Sequence, residues 1–192
     1  MKLLFCLCMV LGQMISGTAP RTVVSGAPTC SDSFTVTGPL SANWTQTTAS
    51  GYPAAVTQTS GSVSSTARAM ATHTSGCTFG PSQTSQIVDN NDTGVTGLVV
   101  RMTVAGDGYA WLFSLGAIYR LTAGGGTVLA ISCPPGGHPG RVMKLSASGS
   151  TLTCTDVTGV LSASVIDSTY TAGNPGVITD PGGILDGPWM AQ

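Results

Sequence analysis

The chain lacks glutamate and carries little charge of either sign. All eight acidic residues are aspartates, they accompany seven lysines and arginines, and 8% of the 192 residues are charged, against roughly 25% in an average globular domain. Catalysis that needs a glutamate as acid, base or nucleophile is therefore excluded. Long surface helices, which depend on Glu and Lys, are not expected. The net charge of −1, without a basic cluster, also excludes nucleic acid, because counterion release needs many cations.

Several motifs that carry chemistry are missing as well. The chain has no Cys-x-x-Cys pair, no Gly-x-Ser-x-Gly elbow, no His-Glu-x-x-His motif and no glycine-rich phosphate loop. Zinc binding, serine hydrolysis and nucleotide binding therefore have no support in the sequence. We predict that the protein is not an enzyme.

The N-terminus has the pattern of an export signal. Lys2 precedes an apolar run over 3–15, and small residues follow that run, as at a signal-peptide cleavage site. The run is too short to be a transmembrane helix. The alternative is an uncleaved arm that docks on a partner protein. We predict an apolar segment over 1–19, a linker over 20–29 and one domain over 30–192.

The body of the chain alternates strand-like runs with turn residues. Val, Thr, Ile and aromatic residues recur with period two, and no stretch keeps a helical period, which is typical of antiparallel strands with one buried face. Asp107-Gly108 is a tight-turn signal between two such runs. We predict an all-β antiparallel sandwich with few or no helices. The predicted strands are 97–105, 109–115, 117–122, 127–132, 141–147, 151–155 and 160–167.

Six cysteines indicate an oxidising compartment. Two lie in the N-terminal apolar run, and the other four, Cys30, Cys77, Cys133 and Cys154, are spread through the body. Four separated cysteines suit two disulfides, although buried free thiols remain an alternative. Three pairings are open from the sequence alone.

The order of short motifs along the chain resembles concanavalin A-like, laminin-G-like jelly-roll domains. The resemblance covers about residues 30–189 and implies a jelly roll with a lectin-like binding function. Its motifs are Asp32-Ser33-Phe34, the segments 38–44 and 79–83, Val100-Arg101 followed by Gly108-Tyr109, and the segments 145–153, 165–170 and 173–176.

The chain departs from that family pattern at one turn. Residues 154–159 replace the usual Val-Asn-Gly hairpin with a longer turn that carries a cysteine. Compared with the family, this departure suggests a Cys133–Cys154 bridge, which leaves Cys30 with Cys77.

Calcium is the one metal that the residues allow; no other cofactor is predicted. Asp89-Asn90-Asn91-Asp92 gathers hard oxygen donors in one turn, as calcium prefers. The family resemblance adds Asp32 and Asp186 as carboxylates near the two ends of the domain. Turn formation is the competing role for each of these residues.

An aromatic row is the candidate ligand site. Tyr109, Trp111 and Phe113 share one strand face by parity, and Tyr119 follows on the next strand. Such a row suits a glycan platform, with Arg101 and Arg120 as the charged candidates beside it, because the apolar faces of sugar rings lie on aromatic rings. Burial of the row in the core is the favoured alternative, since aromatic side chains contribute much burial energy.

Two functions follow from these observations. The first is a secreted or cell-surface carbohydrate-binding or adhesion module, whose partner is a glycan or surface polysaccharide. The second is a virion or surface-layer component, such as a capsid-decorating or tail-associated domain, whose partners are proteins. A polysaccharide-active enzyme is the third reading, weakened because glycoside hydrolases usually need two catalytic carboxylates. Low surface charge also permits a homo-oligomer.

The N-terminus of the native protein distinguishes secretion from a docking arm. If the chain is secreted, intact-mass spectrometry of protein from its source will give a start near Thr18 or Pro20. A chain that begins at Met1 would contradict secretion and favour the arm.

Overall fold

The computed structural model describes residues 30–89, 94–123, 125–136 and 140–192, and every regular element within these ranges is a β-strand. The predicted segments 1–19 and 20–29 lie outside the described residues. No helix in the described ranges has the length and apolarity needed to cross a membrane. The strands are β1 (Cys30–Asp32), β2 (Gly38–Pro39), β3 (Trp44–Gln46), β4 (Thr57–Thr59), β5 (Ser62–Ser64), β6 (Ala69–His73), β7 (Gln83–Asp89), β8 (Thr96–Met102), β9 (Gly108–Leu112), β10 (Ala117–Thr122), β11 (Gly125–Ala130), β12 (Arg141–Ser148), β13 (Thr151–Asp156), β14 (Leu161–Ile166), β15 (Asn174–Thr179), β16 (Ile184–Asp186) and β17 (Trp189–Ala191).

These strands form two large antiparallel sheets and a small one. The six-stranded sheet has the order β1-β17-β7-β12-β13-β14, and the seven-stranded sheet has the order β11-β10-β9-β8-β15-β6-β3. A four-stranded sheet has the order β16-β5-β4-β2. The main core lies between the two large sheets, as in a β-sandwich. The predicted all-β antiparallel sandwich is confirmed.

The seven predicted strands lie close to β8–β14, whereas β1–β7 and β15–β17 are not among the predicted runs. The run 117–122 coincides with β10, and 141–147 is one residue shorter than β12. In β12 the alternation is as predicted, because Met143 and Leu145 face the core. The turn lies three residues before the predicted Asp107-Gly108 position: it is centred on residues 104–105 and closes with Gly106 N donating to Thr103 O at 3.0 Å.

The face pattern of β8 differs from the prediction because the strand is irregular. Strict alternation would put Leu98, Val100 and Met102 on one face. Leu98 and Val100 do lie in the main core, but Met102 belongs to a second apolar cluster on the opposite face of the sheet. Arg101 lies between them with φ of +51°, and such a bulge-like residue moves the following side chains to the other face.

Arg101 holds three separate loops by its side chain. It is 1% exposed. Its guanidinium donates to Pro81 O at 2.6 Å, to Gly149 O at 2.7 Å and to Tyr170 O at 3.0 Å. These carbonyls belong to the loop before β7, the turn between β12 and β13, and the loop after β14. The buried charge is therefore satisfied by main-chain oxygens.

Two disulfides add covalent links across the domain. Cys30 is joined to Cys77, and Cys133 is joined to Cys154. These are the pairs suggested by comparing the 154–159 turn with the family pattern. The second bridge ties the segment after β11, at one edge of the seven-stranded sheet, to β13 in the facing sheet.

Replacement of Arg101 tests its role as the link between loops. In Arg101→Lys the single ammonium reaches fewer carbonyls and leaves the others unsatisfied, so we expect the free energy of unfolding to fall by at least about 3 kcal/mol. Urea denaturation measures this loss. Arg120→Lys is the matched control, because Arg120 is 33% exposed in its side chain and donates both of its hydrogen bonds from one nitrogen, Nη1, so a lysine that keeps the charge should cost about 1 kcal/mol or less. Equal losses in the two variants would contradict the special role of Arg101.

Candidate functional site

The aromatic row of β9 lies in the core and offers no surface to a ligand. Tyr109, Trp111 and Phe113 are each 0% exposed, and the rings of Trp111 and Phe113 meet edge to face at 4.8 Å. The proposed glycan contacts of Tyr109 and Trp111 are therefore corrected. Burial in the core, the favoured alternative, is observed at these positions, because the strand face with the larger aromatic rings buries more apolar area between the sheets.

The side chains of Arg101 and Arg120 bond to other groups of the protein and stabilise the fold. The guanidinium of Arg101 is occupied by three carbonyls, as described above. Arg120 shares the core-side face of β10 with Ile118 and donates to Asp167 Oδ2 and to Thr169 Oγ1, both at 2.9 Å. The proposed ligand contacts of Arg101 and Arg120 are corrected for this reason.

Asp167 organises the contacts around Arg120. Its Oδ1 accepts a hydrogen bond from the Tyr109 hydroxyl at 2.6 Å, and that hydroxyl accepts one from Tyr170 N at 2.9 Å. Burial alone would raise the pKa of Asp167, but the hydrogen bonds from Tyr109 and Thr169 and the charge of Arg120 lower it below its ordinary value. Burial, with the hydrogen bond to Asp167, raises the pKa of Tyr109. These hydrogen bonds of Asp167, Tyr109 and Arg120 join the loop after β14 to the seven-stranded sheet.

Tyr119 is the one predicted aromatic that lines a cavity. It points from β10 to the face of the seven-stranded sheet that is turned away from the main core, where a groove of about 190 Å³ opens. This volume is below the roughly 300–1,000 Å³ of pockets that enclose a drug-sized ligand, so it suits a single ring. We name this site the outer groove; it is lined by Tyr52, Arg68, Val95, Leu112, Leu115, Tyr119, Leu121, Gly126, Ile178 and Asp180.

The floor of the outer groove is apolar because the seven-stranded sheet is hydrophobic on both faces. Leu121 and Ile178 are 6% and 4% exposed, and they belong to the second apolar cluster with Met70 and Val99. The loop that carries Tyr52 covers part of this face, which explains how these side chains are shielded without a second sheet.

Tyr52 forms one wall of the groove. It is 3% exposed, and a Cβ at Gly106 would lie 2.8 Å from its ring. Gly106 has φ of +87°, so the loop before β9 needs glycine here both for its conformation and for contact with the ring. Burial, partly offset by the charge of Arg68, raises the pKa of Tyr52 to about 12. Its phenol therefore stays protonated at physiological pH.

A fixed ion pair stands at the polar side of the groove. Arg68 donates from Nε to Asp180 Oδ1 at 2.7 Å and from Nη2 to Oδ2 at 3.0 Å, which is the bidentate geometry of a guanidinium and a carboxylate. The hydrogen bond to Asp180 raises the pKa of Arg68. The side chain of Arg68 is 47% exposed and that of Asp180 is 16% exposed, so donors and acceptors remain within reach of solvent.

Gly126 leaves room for the ring of Tyr119. A Cβ at this position would lie 3.2 Å from Tyr119 Cδ1 and 3.2 Å from Leu121 Cδ2. The side chain of Tyr119 is therefore backed by the bare main chain of β11. This contact orients the ring, which is half-buried, at the edge of the groove.

Sequence reasoning missed most of this site. Tyr52, Arg68 and Asp180 come from loops or strand ends that are far apart in the chain, and no short motif connects them. The signal that could have located the face was in β9, where Ala110 and Leu112 alternate with the aromatic residues. Two apolar faces on one strand indicate that both faces are covered.

The predicted calcium ligands do not assemble in the described part of the chain. Asp32 accepts hydrogen bonds at 2.8 Å from Phe34 N and from Trp44 Nε1, which is a turn-forming role. Asp186 ends β16 in the small sheet. Asp92 lies outside the described residues, and the side chain of Asp89 is not described. No group of three metal-ligating side chains among the described residues includes Asp32 or Asp186, so we derive no role for calcium.

His73 lies beside the Cys30–Cys77 bridge in an aromatic cluster. The described residues bring the sulfurs and a nitrogen of His73 within 4.8 Å of one another, but the two sulfurs are bonded to each other and are not free thiolates. His73 is 3% exposed and stacks on Trp189 at 5.3 Å, with Trp44 at the same distance edge-on. Burial lowers the pKa of His73 below its ordinary value of 6.5, and Asp32 opposes this effect.

Comparison with known proteins gives a likeness in fold. No family model and no curated protein sequence matches the chain. The carbohydrate-binding module CBM66 from Bacillus subtilis superposes with a TM-score of 0.56 at 15% identity, covering 76% of this chain and 93% of that one. A Crh5 transglycosylase in its apo form gives a TM-score of 0.41 at 13% identity, covering 85% of this chain and 80% of that one. The first comparison agrees with the β-sandwich fold.

The lowered pKa of His73 predicts acid sensitivity. Below pH 6.5 the unfolded chain takes up a proton that the native state resists, so stability falls as the pH falls towards the folded pKa. In His73→Phe the ring stays but the titration is removed. The difference in unfolding free energy between wild type and this variant should therefore change between pH 7.5 and 5, to the disadvantage of the wild type at low pH. Urea denaturation at both pH values measures it, and a constant difference would contradict the prediction.

Proposed function

We propose that this chain is a secreted, non-catalytic carbohydrate-binding module, with the outer groove as its glycan site. One observation carries the proposal. The groove places a half-buried tyrosine ring, an apolar floor and a bidentate Arg68–Asp180 pair in one shallow site of about 190 Å³.

The lining matches the two sides of a sugar ring. The C–H face of a pyranose or furanose is apolar and lies on an aromatic ring, here Tyr119, beside Leu112 and Leu115. The hydroxyls at the ring edge need fixed donors and acceptors, which Arg68 and Asp180 supply. Because these two side chains already hold each other, less side-chain entropy is lost when a ligand binds.

The fold comparison supports a binding role by analogy. CBM66 is named as a carbohydrate-binding module, and this chain shares its sandwich architecture at low sequence identity. A fold hosts many functions, so the argument depends on the groove. The likeness makes a glycan the first ligand class to test.

The carboxylates favour binding over catalysis. Glycoside hydrolysis usually needs two carboxyl groups on either side of the scissile bond. Among the described residues that line the outer groove, Asp180 is the one acid, and both of its oxygens are engaged by Arg68. Such a carboxylate accepts hydrogen bonds from hydroxyls but has no partner acid.

The disulfides favour an extracellular location. Cys30–Cys77 and Cys133–Cys154 are of the kind that persists in oxidising compartments. Together with the signal-like sequence over 1–19, they support export of the domain to where polysaccharides and surface glycans occur.

Substitution at Tyr119 tests the glycan site. We expect Tyr119→Ala to weaken glycan binding by about fivefold or more, since an aromatic contact of this kind contributes on the order of 1 kcal/mol or more. A glycan array identifies ligands of the wild type, and isothermal titration measures the affinities. Tyr119→Phe is the matched variant: it keeps the ring and should retain most of the affinity if stacking is the main contribution.

Two further variants control for the position of the site. Arg68→Lys keeps the charge but removes the bidentate pair, so it should weaken binding. Lys144→Ala, on the outer face of the other large sheet, should leave binding unchanged. A wild type without any ligand on the array, or equal affinity for wild type and Tyr119→Ala, would overturn the proposal. Turnover of a bound polysaccharide would contradict its non-catalytic part.

A further inference from the structure

One flank of the sandwich concentrates the exposed apolar side chains. Of the ten large hydrophobic residues exposed within the described ranges, six lie on β11, on β14 or on the segments next to them. The two strands are edges of the two large sheets, and they are neighbours in space. The six are Val128, Ile131, Val157, Val160, Leu161 and Ile166. Their grouping on one flank indicates a contact surface.

The edge strand β14 lacks the features that usually protect an edge. Natural proteins guard free edges with lysine, proline, bulges or very short strands. Residues 157–166 contain no charged residue and no proline, and all six residues of β14 pair with β13 in regular register. Leu161 is 53% exposed and Ile166 is 77% exposed.

The β13–β14 ladder shows which main-chain groups of β14 face away from β13. Asp167 N donates to Ser150 O at 2.8 Å, in continuation of the β13–β14 register. Main-chain groups of alternate residues point to the same neighbour in an antiparallel pair. The odd-numbered residues of β14 therefore bond to β13, and Ser162, Ser164 and Ile166 direct their N–H and C=O groups away from the sheet.

The sequence of this edge is symmetric in its chemistry. Residues 160–166 read Val-Leu-Ser-Ala-Ser-Val-Ile, so apolar and small polar positions mirror each other about Ala163. A two-fold contact requires that residue i meets j and that j meets i. With the axis at Ala163, Leu161 meets Val165 of a second copy and Ser162 meets Ser164. Each such pair lies on the same sheet face in both copies, as antiparallel pairing requires.

We propose that β14 pairs antiparallel with β14 of a second copy of this chain, with the two-fold axis at Ala163. The outward-directed main-chain groups of Ser162 and Ser164 then form roughly four hydrogen bonds, and the two six-stranded sheets become continuous. The absence of charge over 157–166 removes like-charge repulsion across the axis. The outer groove is on the other large sheet, so the dimer presents two such grooves, and the proposal does not depend on their function.

Paired charges test both the dimer and its register. Sedimentation velocity as a function of concentration, with the full chain, should give a wild-type dimer. Ser162→Lys with Ser164→Lys places lysines opposite lysines and should weaken the dimer by about tenfold or more. Ser162→Lys with Ser164→Asp places each lysine opposite an aspartate of the second copy and should retain the dimer.

A control variant distinguishes a charge on the edge strand from a charge elsewhere on the same sheet face. Thr153→Lys adds a charge to the same sheet face on an interior strand and should leave the dimer intact. Ser162 and Ser164 are both exposed, and thermal melting checks that each variant folds. A monomeric wild type, an assembly larger than a dimer, or a dimer that the double-lysine variant retains would overturn the proposal. A dimer lost equally in the Lys–Lys and Lys–Asp variants would overturn the register at Ala163.

Discussion

The buried guanidinium of Arg101 is the interaction on which the sandwich most depends. It sits where β8 departs from regular pairing, with φ of +51°, and its donors reach Pro81, Gly149 and Tyr170. A Cβ at Gly173 would collide with the main chain of Arg101, so glycine is required where the loop after β14 passes it. A single guanidinium thus donates hydrogen bonds to three loop carbonyls that would otherwise bond to water. Arg101 is one of only seven lysines and arginines in the chain, and its side chain is fully used in holding loops together.

The same irregularity adds a side chain to the apolar cluster on the sheet face that carries the proposed glycan site. Because β8 changes face at Arg101, Val100 points into the main core and Met102 into the second apolar cluster. The seven-stranded sheet is covered on one side by the six-stranded sheet and only partly covered on the other, by the loop that carries Tyr52. The outer groove is the part left open, and the Arg68–Asp180 pair closes its polar side. The main core and the proposed binding surface thus lie on opposite faces of one sheet.

The two edge strands of the six-stranded sheet, β1 and β14, differ in their protection. At the β1 edge the Cys30–Cys77 bridge joins the strand to the rest of the domain, whereas the β14 edge is regular, uncharged and apolar. A chain with so few charges has little electrostatic repulsion to keep copies apart. Charge therefore does not oppose the proposed pairing of two copies about Ala163. A dimer formed there would hold two outer grooves in fixed relation, which raises the effective affinity for a repeating polysaccharide.

The sequence by itself determined the fold class and the approximate positions of β8 to β14, because period-two alternation and turn residues act locally; it did not predict the other ten strands. It also indicated two disulfides, and through the family resemblance their pairing. It did not locate the site. Parity placed Tyr109 and Trp111 together on one face of β9 but could not say which face a second sheet would cover, and only the tertiary structure put that face inside. Tyr52, Arg68 and Asp180 meet because strands β6 and β15 pair across more than a hundred residues of chain, a long-range choice driven by burial that no local pattern encodes.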